Sequence, residues 1–319
     1  MTLDASGNLY GDTAGGGTYG SGVVFELMHT ASAWQETVLY NFCSQQNCSD
    51  GGLPIGALVM DHSGNLYGTA HVAFELVRGS DGWSEEVLHS FDGHGDGFDP
   101  GAGLVRDADG SLFGTTAEGG TGCPGQGCGT VFELTQASGS WSERMLHRFD
   151  NNGKDGVEPG NGALLMDGSG NLYGTTSGGG ANSCGALQRP GESPGRDIGN
   201  CGTLYKLTKK IDGRWSETIL YNFKSGSTGD SPFAGVVMDT AGNLYGTTDI
   251  GGATCGCGVV YKLAPQGKGK WKYTVLHRFN DFDGALPAGN LILDDKGNLY
   301  GGTIFGGSTG AGVIFELTP

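Results

Sequence analysis

One short motif recurs along this chain and constrains its fold more than any other feature. The string Asp-x-x-Gly-Asn-Leu-Tyr-Gly appears six times with small variations. A unit of roughly 45 to 70 residues that repeats along a chain is typical of a repeat architecture, with insertions between fixed elements. The copies begin at Asp4, Asp61, Asp107, Asp167, Asp239 and Asp294.

Each unit contains four predicted strands. The first is an apolar run of small residues such as 56–60, and an Asp-x-x-Gly turn joins it to the second, 65–69. In this turn we expect the Asp side chain to cap the backbone and the Gly to adopt a positive φ. The third strand is represented by 129–134 and the fourth by 141–149, which alternates as a half-buried strand does. The fourth strand contains every Trp of the chain: Trp34, Trp83, Trp141, Trp215 and Trp271.

Four strands in each of six units predict an all-β fold, a β-propeller of about six four-stranded blades, because a solenoid has fewer strands in a shorter repeat. With 64 Gly residues, the chain is also unfavourable for helices. The small residues predict a first strand at the crowded centre and a Trp strand at the outer edge. We expect a single domain over 1–319, with units of approximately 1–54, 55–100, 101–159, 160–232, 233–287 and 288–319.

The two ends of the chain do not complement each other. Unit six ends after its third strand, and unit one begins inside its first strand. We therefore expect the last or first blade to be incomplete and the chain to be a fragment of a longer precursor.

The string Asn-Leu-Tyr-Gly-Thr-Thr-Ser-Gly-Gly-Gly at 171–180, followed by Gly-Thr-Leu-Tyr at 202–205, is similar to a known bacterial family. The chain resembles the GloVer tandem-repeat proteins, surface or secreted proteins with a choice of anchors, over nearly its whole length. This resemblance implies an exported protein but no particular activity or catalytic residue. Two features depart from the usual unit: unit two lacks the Gly-Gly loop between Thr69 and Val72, and unit four has an insertion at 185–200.

The eight cysteines form four local pairs. Three pairs occupy one repeat position, between the second and third strands, and remain at the ends of that loop even where unit four inserts residues. This pattern predicts disulfides and hence an oxidising compartment. Zinc is the alternative for the closely spaced third pair of this set, at 255 and 257. The predicted disulfides are Cys43–Cys48, Cys123–Cys128, Cys184–Cys201 and Cys255–Cys257.

The charge of the chain excludes two classes of partner. A net charge of −16 repels nucleic acids and anionic membranes. No segment approaches the roughly 18 apolar residues of a membrane-spanning helix, and no signal peptide is present. We expect a monomer that is extracellular, periplasmic or on the cell surface, with a polysaccharide or cell-surface glycan as its partner.

In a propeller, the loops from strand two to three and from strand four to the next first strand open on one face. Each connection of the second kind contains an Asp near a Pro, which suggests a ring of carboxylates. Hard cations take oxygen ligands, so calcium is the expected cofactor if these residues bind a metal. The alternative is that Asp-Gly simply forms a turn in every unit. The five residues are Asp50, Asp96, Asp155, Asp230 and Asp283.

Residues that break the repeat are the candidates for chemistry, because repeated residues serve the scaffold. The candidate catalytic carboxylates are Asp99, Glu118 and Glu158, since glycoside hydrolysis needs two such groups. One position of the fourth strand accepts either His or Tyr, which indicates packing or hydrogen bonding there. Its occupants are His89, His147, His277, Tyr40 and Tyr221. The candidate binding residues are His71, His94, Asp249, Arg189 and Arg196.

Three functions are consistent with this sequence. The first is an exported module that binds glycans or other extracellular polymers through its loop face. The second is a polysaccharide-active hydrolase or lyase with an asymmetric cleft near units two and three. The third is a structural surface protein, and the fold alone does not choose among them.

Overall fold

The computed structural model describes residues 1–93, 95–123, 125–159, 162–184, 201–252 and 254–319. These residues form 24 strands and one short 3-10 turn, Gln46–Cys48, arranged as six antiparallel sheets. The sheets are the blades of a six-bladed β-propeller, which confirms the predicted fold class. No helix in the described ranges is long and apolar enough to cross a membrane.

The chain divides into two compact units, Met1–Gly120 with Thr130–Leu146 and Thr121–Gly129 with His147–Pro319. The prediction of one domain over 1–319 that contains six repeat units stays a prediction. The first unit contains the first three blades, and its boundary falls within strand β12. Blade 1 contains β1 (Thr2–Leu3), β2 (Leu9–Thr13), β3 (Val23–His29) and β4 (Trp34–Asn41); blade 2 contains β5 (Val59–Met60), β6 (Leu66–Thr69), β7 (Val72–Gly79) and β8 (Gly82–Ser90); blade 3 contains β9 (Val105–Arg106), β10 (Leu112–Thr116), β11 (Thr130–Ala137) and β12 (Ser140–Arg148).

The second unit contains the other three blades. An additional strand, β13, pairs with the far end of β15 in blade 4, and blade 6 has three strands, which confirms the predicted incomplete blade. Blade 4 contains β13 (Gly156–Pro159), β14 (Leu165–Met166), β15 (Leu172–Gly179), β16 (Thr203–Lys209) and β17 (Trp215–Asn222); blade 5 contains β18 (Val237–Met238), β19 (Leu244–Thr248), β20 (Val259–Pro265) and β21 (Trp271–Arg278); blade 6 contains β22 (Ile292–Leu293), β23 (Leu299–Gly302) and β24 (Ile314–Leu317).

The Asp-x-x-Gly turn has the structure that the sequence predicts. In blade 4, Asp167 Oδ1 accepts hydrogen bonds from the backbone N–H groups of Ser169 and Asn171, at 2.9 and 3.0 Å. Gly170 has a φ of 75°, a value that glycine adopts without strain. The hydroxyl of Tyr173 donates to Asp167 Oδ2 at 3.0 Å, so the Tyr of the motif also supports the turn.

The final Gly of the motif provides space for an aromatic ring of the third strand. A Cβ atom on Gly68 would lie 2.6 Å from Cζ of Phe74 and 2.9 Å from Leu58, closer than packed atoms approach. Phe74 is fully buried in a core that includes Leu66 and Phe42. The apolar cores therefore lie between successive sheets, where the ring of the third strand covers the second strand.

The Trp strand is at the outer edge of each sheet that contains one: β4, β8, β12, β17 and β21. Trp83 contacts Tyr10 of the preceding blade edge-on, with 6.4 Å between ring centroids, and Trp141 contacts Tyr67 in the same way at 6.3 Å. The repeated Trp therefore packs one blade against the Tyr of the preceding motif.

Candidate functional site

Two loops meet at one end of the blades, and we call this end the loop end. It consists of the loop from strand two to three and the connection that leads to a Pro before the next blade. In four of these connections, the N–H of the residue before Pro donates to a carbonyl two residues before the third strand. The pairs are Leu53 to Ser21, Glu158 to Cys128, Ser231 to Cys201 and Leu286 to Cys257, at 2.8 to 3.0 Å.

The residue before each of these Pro residues has a left-handed backbone conformation. Its φ is between 54° and 58° in all five connections, at Leu53, Asp99, Glu158, Ser231 and Leu286. This conformation is unfavourable for a residue with a Cβ, so the surrounding loop must hold it in place. The candidate catalytic residues Asp99 and Glu158 thus occupy a fixed backbone position at which the side chain varies from blade to blade.

All four predicted disulfides are present: Cys43–Cys48, Cys123–Cys128, Cys184–Cys201 and Cys255–Cys257. The second Cys of the last three pairs supplies the carbonyl that accepts the N–H before Pro. These disulfides therefore secure the contact between the two loops of the loop end. Four disulfides fit an extracellular or secreted protein.

In the first unit, the structure places three candidate residues near the short turn that replaces the loop of blade 2. His71 Nε2 lies 3.9 Å from Asp99 Oδ1, and both side chains are partly exposed. The N–H of Ala117 donates to the carbonyl of Asp99 at 3.0 Å. Phe98 and Glu118 exchange two backbone hydrogen bonds, and Glu118 is 8% exposed. His71, Asp99 and Glu118 therefore belong to one local part of the loop end.

In the second unit, two corresponding places contain the other candidates. The Ser177 hydroxyl lies 3.4 Å from Glu158 Oε2, and the N–H of Asp249 donates to the carbonyl of Ser231 at 3.1 Å. Asp249 is buried beside Asp230, and burial raises the pKa of Asp230 to about 6. The candidates His94, Arg189 and Arg196 lie outside the described residues.

Four of the five predicted metal-binding carboxylates bind the repeated His or Tyr of the fourth strand. The contacts are Asp50 with Tyr40 at 2.8 Å, Asp96 with His89 at 2.9 Å, Asp155 with His147 at 3.2 Å and Asp283 with His277 at 3.1 Å. Asp230 is not equivalent to these four. It lies two residues before Pro232, whereas the others lie four residues before their Pro, and Thr228 occupies their position in this connection.

A glutamate from the next blade extends this pair into a cluster. In the second unit, Glu217 Oε1 lies 3.8 Å from His147 Nε2. Burial raises the pKa of the Glu217 carboxyl, and the Asp155 charge raises it further although His147 opposes this. His147, Asp155 and Glu217 offer three possible metal-ligand atoms within 4.8 Å of one another. Cation binding, with calcium as the expected ion, stays a prediction.

Sequence reasoning missed this glutamate, although a signal for it exists. Glu36, Glu85, Glu143 and Glu217 all follow the repeated Trp by two residues. In the first unit, burial followed by the charge of Asp50 raises the pKa of Glu85 to about 7. At Glu85 and Glu217, the Glu of this Trp-x-Glu recurrence therefore lies near the Asp of the preceding connection.

Four of the five exposed Phe, Tyr and Trp side chains in the described ranges lie in these loops, two in each unit. Phe282, which is 91% exposed, and Phe98 are in connections to Pro, whereas Tyr19 and Phe305 are in loops from strand two to three. Trp34, in β4, is exposed elsewhere. The loop end thus combines exposed rings with carboxylates on a backbone held by disulfides.

Comparisons with solved structures show similar folds at low sequence identity. Over 94% of this chain, a PorZ structure, a surface component of the type-IX secretion system of Porphyromonas gingivalis, has a TM-score of 0.52 and 13% identity. The gluconolactonase XC5397 from Xanthomonas campestris has a TM-score of 0.50 and 14% identity over 94% of this chain and 82% of its own. A protein from Lactobacillus plantarum has a TM-score of 0.52 and 12% identity over 99% of this chain and 83% of its own. The chain spans 38% of the PorZ structure.

These similarities show the fold alone, because the identities are low. A search of curated proteins finds no match. A family model described as the Gloeobacter/Verrucomicrobia repeat matches residues 191–319, which include blades 5 and 6. This match confirms the resemblance that the motifs indicated. Residues 191–319 of the chain are therefore similar to the Gloeobacter/Verrucomicrobia repeat family.

Proposed function

We propose that this protein is an exported propeller that binds carbohydrate polymers through its loop end. The observation that supports this proposal is that the loops of both units carry exposed aromatic rings: Tyr19 and Phe98 in the first unit, and Phe282 and Phe305 in the second. An aromatic face carries partial negative charge and packs well against the C–H groups of a sugar ring.

The rigidity of the loop end also favours binding. The disulfides and the backbone hydrogen bonds before Pro hold the loops in one conformation. Binding a ligand therefore costs less conformational entropy, because the loops are already ordered. Neutral polysaccharides are the favoured class of ligand, since a net charge of −16 repels polyanions. Repeated units also present several similar loops, which suits a polymer with a repeating structure.

Affinity electrophoresis in gels that contain neutral plant or microbial polysaccharides tests this proposal. We expect retardation by at least one polymer, and weaker retardation of Phe98→Ala, Phe282→Ala and Phe305→Ala. Trp34→Ala is the matched control, because its ring is exposed but lies in β4. The proposal is wrong if no polymer retards the protein or if the control loses as much affinity as the three variants.

Hydrolysis of the bound polymer is the second candidate function. The contact between His71 and Asp99 at the short turn of blade 2, near the largely buried Glu118, is the observation that favours it. Mass spectrometry of saccharides released from a polysaccharide panel tests it. We expect Asp99→Ala and Glu118→Ala to abolish product formation and Asp109→Ala, in an exposed turn, to retain it. Absence of products from the unaltered protein would exclude this candidate for the polymers tested.

A further inference from the structure

Two hairpins of the second unit carry several positive charges. The turns 210–214 and 266–270 join β16 to β17 and β20 to β21, at the end of these blades opposite the loop end, which we call the hairpin end. The single acidic residue in 208–214 and 264–272 is Asp212, which pairs with Arg214 at 2.6 Å. The exposed cationic residues in or beside the two turns are Lys209, Lys210, Arg214, Lys268, Lys270 and Lys272.

The repeat itself does not require these cations. The corresponding turns of blades 1 to 3 are 30–33, 80–81 and 138–139, and their sequences contain neither Lys nor Arg. The first unit has 3 Lys and Arg against 18 Asp and Glu, whereas residues 201–319 have 11 against 10. Charges farther apart than about 8 Å are largely screened at physiological ionic strength. The net charge of −16 therefore does not describe the hairpin end of blades 4 and 5.

The two hairpins are neighbours at this end. Lys206 of β16 lies 5.2 Å from the centroid of the Tyr173 ring, and Trp271, which begins β21, packs against the core that contains Tyr173. Farther along the same strands, Tyr221 of β17 stacks on Tyr273 of β21. The lysines of both turns can therefore contact one extended anionic surface at the same time.

An apolar side chain lies among these cations. Ile211, at the tip of the first hairpin, is fully exposed and directly follows Lys210. In interfacial segments of proteins, apolar side chains enter the headgroup layer of a membrane while lysine amines stay beside the lipid phosphates. A soluble polyanion offers no apolar layer for Ile211. The combination of lysines with an exposed Ile therefore favours a lipid surface over a soluble polyanion.

We propose that the hairpin end of blades 4 and 5 binds a lipid surface that carries anionic headgroups. The contact is peripheral: Ile211 enters the headgroup layer, and the lysines of both hairpins approach the lipid phosphates. This surface lies at the opposite end of these blades from the loops, so the loop end of the same blades stays accessible to a polymer. Lipid binding does not depend on the proposed carbohydrate binding.

Co-sedimentation of the whole chain with vesicles tests this proposal. The vesicles contain either phosphatidylcholine alone or an equal mixture of phosphatidylcholine and phosphatidylglycerol. The first variants reverse two charges in one hairpin, as Lys209→Glu with Lys210→Glu or as Lys268→Glu with Lys270→Glu. The matched control, Lys154→Glu with Lys224→Glu, makes the same change in net charge at two exposed positions of the loop end.

A second pair of variants tests the apolar contact. Ile211→Ser removes the exposed apolar side chain without changing the charge. Ile304→Ser is its control, because Ile304 is also exposed but lies in the loop between β23 and β24.

We expect binding to the mixed vesicles, decreasing as the salt concentration rises, and no binding to phosphatidylcholine alone. Each hairpin variant should bind at least about tenfold more weakly, because every lysine near an anionic lipid surface adds several-fold to the affinity. Ile211→Ser should bind at least about threefold more weakly. Both controls should bind as the unaltered protein does.

Four outcomes would overturn the proposal. They are no binding to the mixed vesicles, equal binding to both kinds of vesicle, an equal loss of binding in the Lys154 and Lys224 control, and full binding by Ile211→Ser. Dextran sulfate, a soluble polyanion, distinguishes the last case. If it retains the protein through the same lysines while Ile211→Ser binds vesicles normally, the surface recognises polyanions in general and the lipid assignment is wrong.

Discussion

Tyr273 stacks on Tyr221, with 4.3 Å between the ring centroids and an angle of 3° between the ring planes. Its hydroxyl donates to the carbonyl of Thr228 at 2.6 Å. Tyr273 occupies the position that is Glu in the other Trp strands, and Thr228 occupies the position of the Asp that this Glu approaches. The same contact between blades is thus made by a polar cluster in some blades and by two stacked rings here. Where the Glu is replaced by Tyr273, the Asp is also replaced, by Thr228.

The stacked rings predict that Glu is not tolerated at position 273. Tyr273→Glu would bury a carboxylate without the partner that the other blades supply, at a cost of about 2 to 4 kcal/mol in the free energy of unfolding. Tyr273→Phe retains the stacking and loses one hydrogen bond, at a cost of about 1 kcal/mol. Urea denaturation at pH 8 measures both values. Equal stability of the two variants would contradict this account of the contact.

Glu85 predicts that stability falls as the pH rises. The unfolded chain releases this proton near the ordinary pKa of 4.5 and the folded chain near 7, so the folded state is progressively disfavoured between these values. We expect Glu85→Gln to match the unaltered protein at pH 4.5 and to be more stable at pH 8. Thermal denaturation across this range tests the effect.

Glu36 provides the control for Glu85, since it has the same position after Trp in blade 1 and is exposed. Glu36→Gln should leave the pH dependence of the melting temperature unchanged. A flattened pH profile in both variants would mean that the effect does not arise from the contact with Asp50.

The Asp167 carboxylate should make the protein less stable as the pH falls, which is the reverse of the effect of Glu85. Burial acts to raise the pKa of Asp167, but hydrogen bonds from Asn171 and Ser169 and the Tyr173 hydroxyl outweigh it, so the pKa is lowered from 3.8. Its contribution is present above the unfolded pKa and is lost as the pH falls through the folded value. Asp167→Ala should cost about 1 to 3 kcal/mol at pH 7 and proportionally less at pH 3.

Asp107 in blade 3 is the matched control for Asp167. Ser111 and Phe113 replace the Asn and Tyr of the motif, and the Asp107 carboxylate accepts backbone bonds at 2.8 and 3.0 Å. Asp107→Ala should therefore cost less than Asp167→Ala in urea denaturation. The reverse order would contradict a contribution from the Asn and Tyr side chains.

Gly68 predicts a steric cost that the sequence motif alone does not reveal. Ala at this position would place Cβ 2.6 Å from Phe74, so Gly68→Ala should reduce the free energy of unfolding by about 1 to 3 kcal/mol. Gly15→Ala is the control, because no atom lies within 4 Å of its Cβ position. Calorimetry should show a lower melting temperature for Gly68→Ala alone, and equal melting temperatures would refute the steric explanation.

The disulfides should differ in their contribution to stability. Cys184–Cys201 joins residues 17 positions apart, whereas Cys255–Cys257 joins residues 2 apart. In the chain-entropy account, replacing both members of the first pair by Ser costs about 3 kcal/mol, and replacing both members of the second costs clearly less. Urea denaturation of the two double variants measures the difference. A larger loss from the second double variant would contradict the entropic explanation.

The features predicted from the sequence depend on local contacts. The turn at Asp167 and Gly170 is made within five residues, and the disulfides connect the ends of single loops, so spacing and repetition were sufficient to predict them. The strand order and the incomplete sixth blade also followed from counting the elements of each unit. Glu118 and Asp99 were selected because they break the repeat, but their placement near His71 could not be derived from spacing.

The contacts between blades depended on tertiary structure. Glu217 reaches His147 across 70 positions of sequence, and no local pattern states which side chain of one blade faces the next. Asp230 was grouped with the other connection residues because it lies near a Pro, although its spacing of two residues before Pro232, where the others have four, already separates it from them in sequence. The sequence by itself therefore determined the repeat, its turns and its disulfides, because these are short-range. Packing of sheet against sheet decided which polar groups meet, because that choice depends on register and burial that only the folded chain establishes.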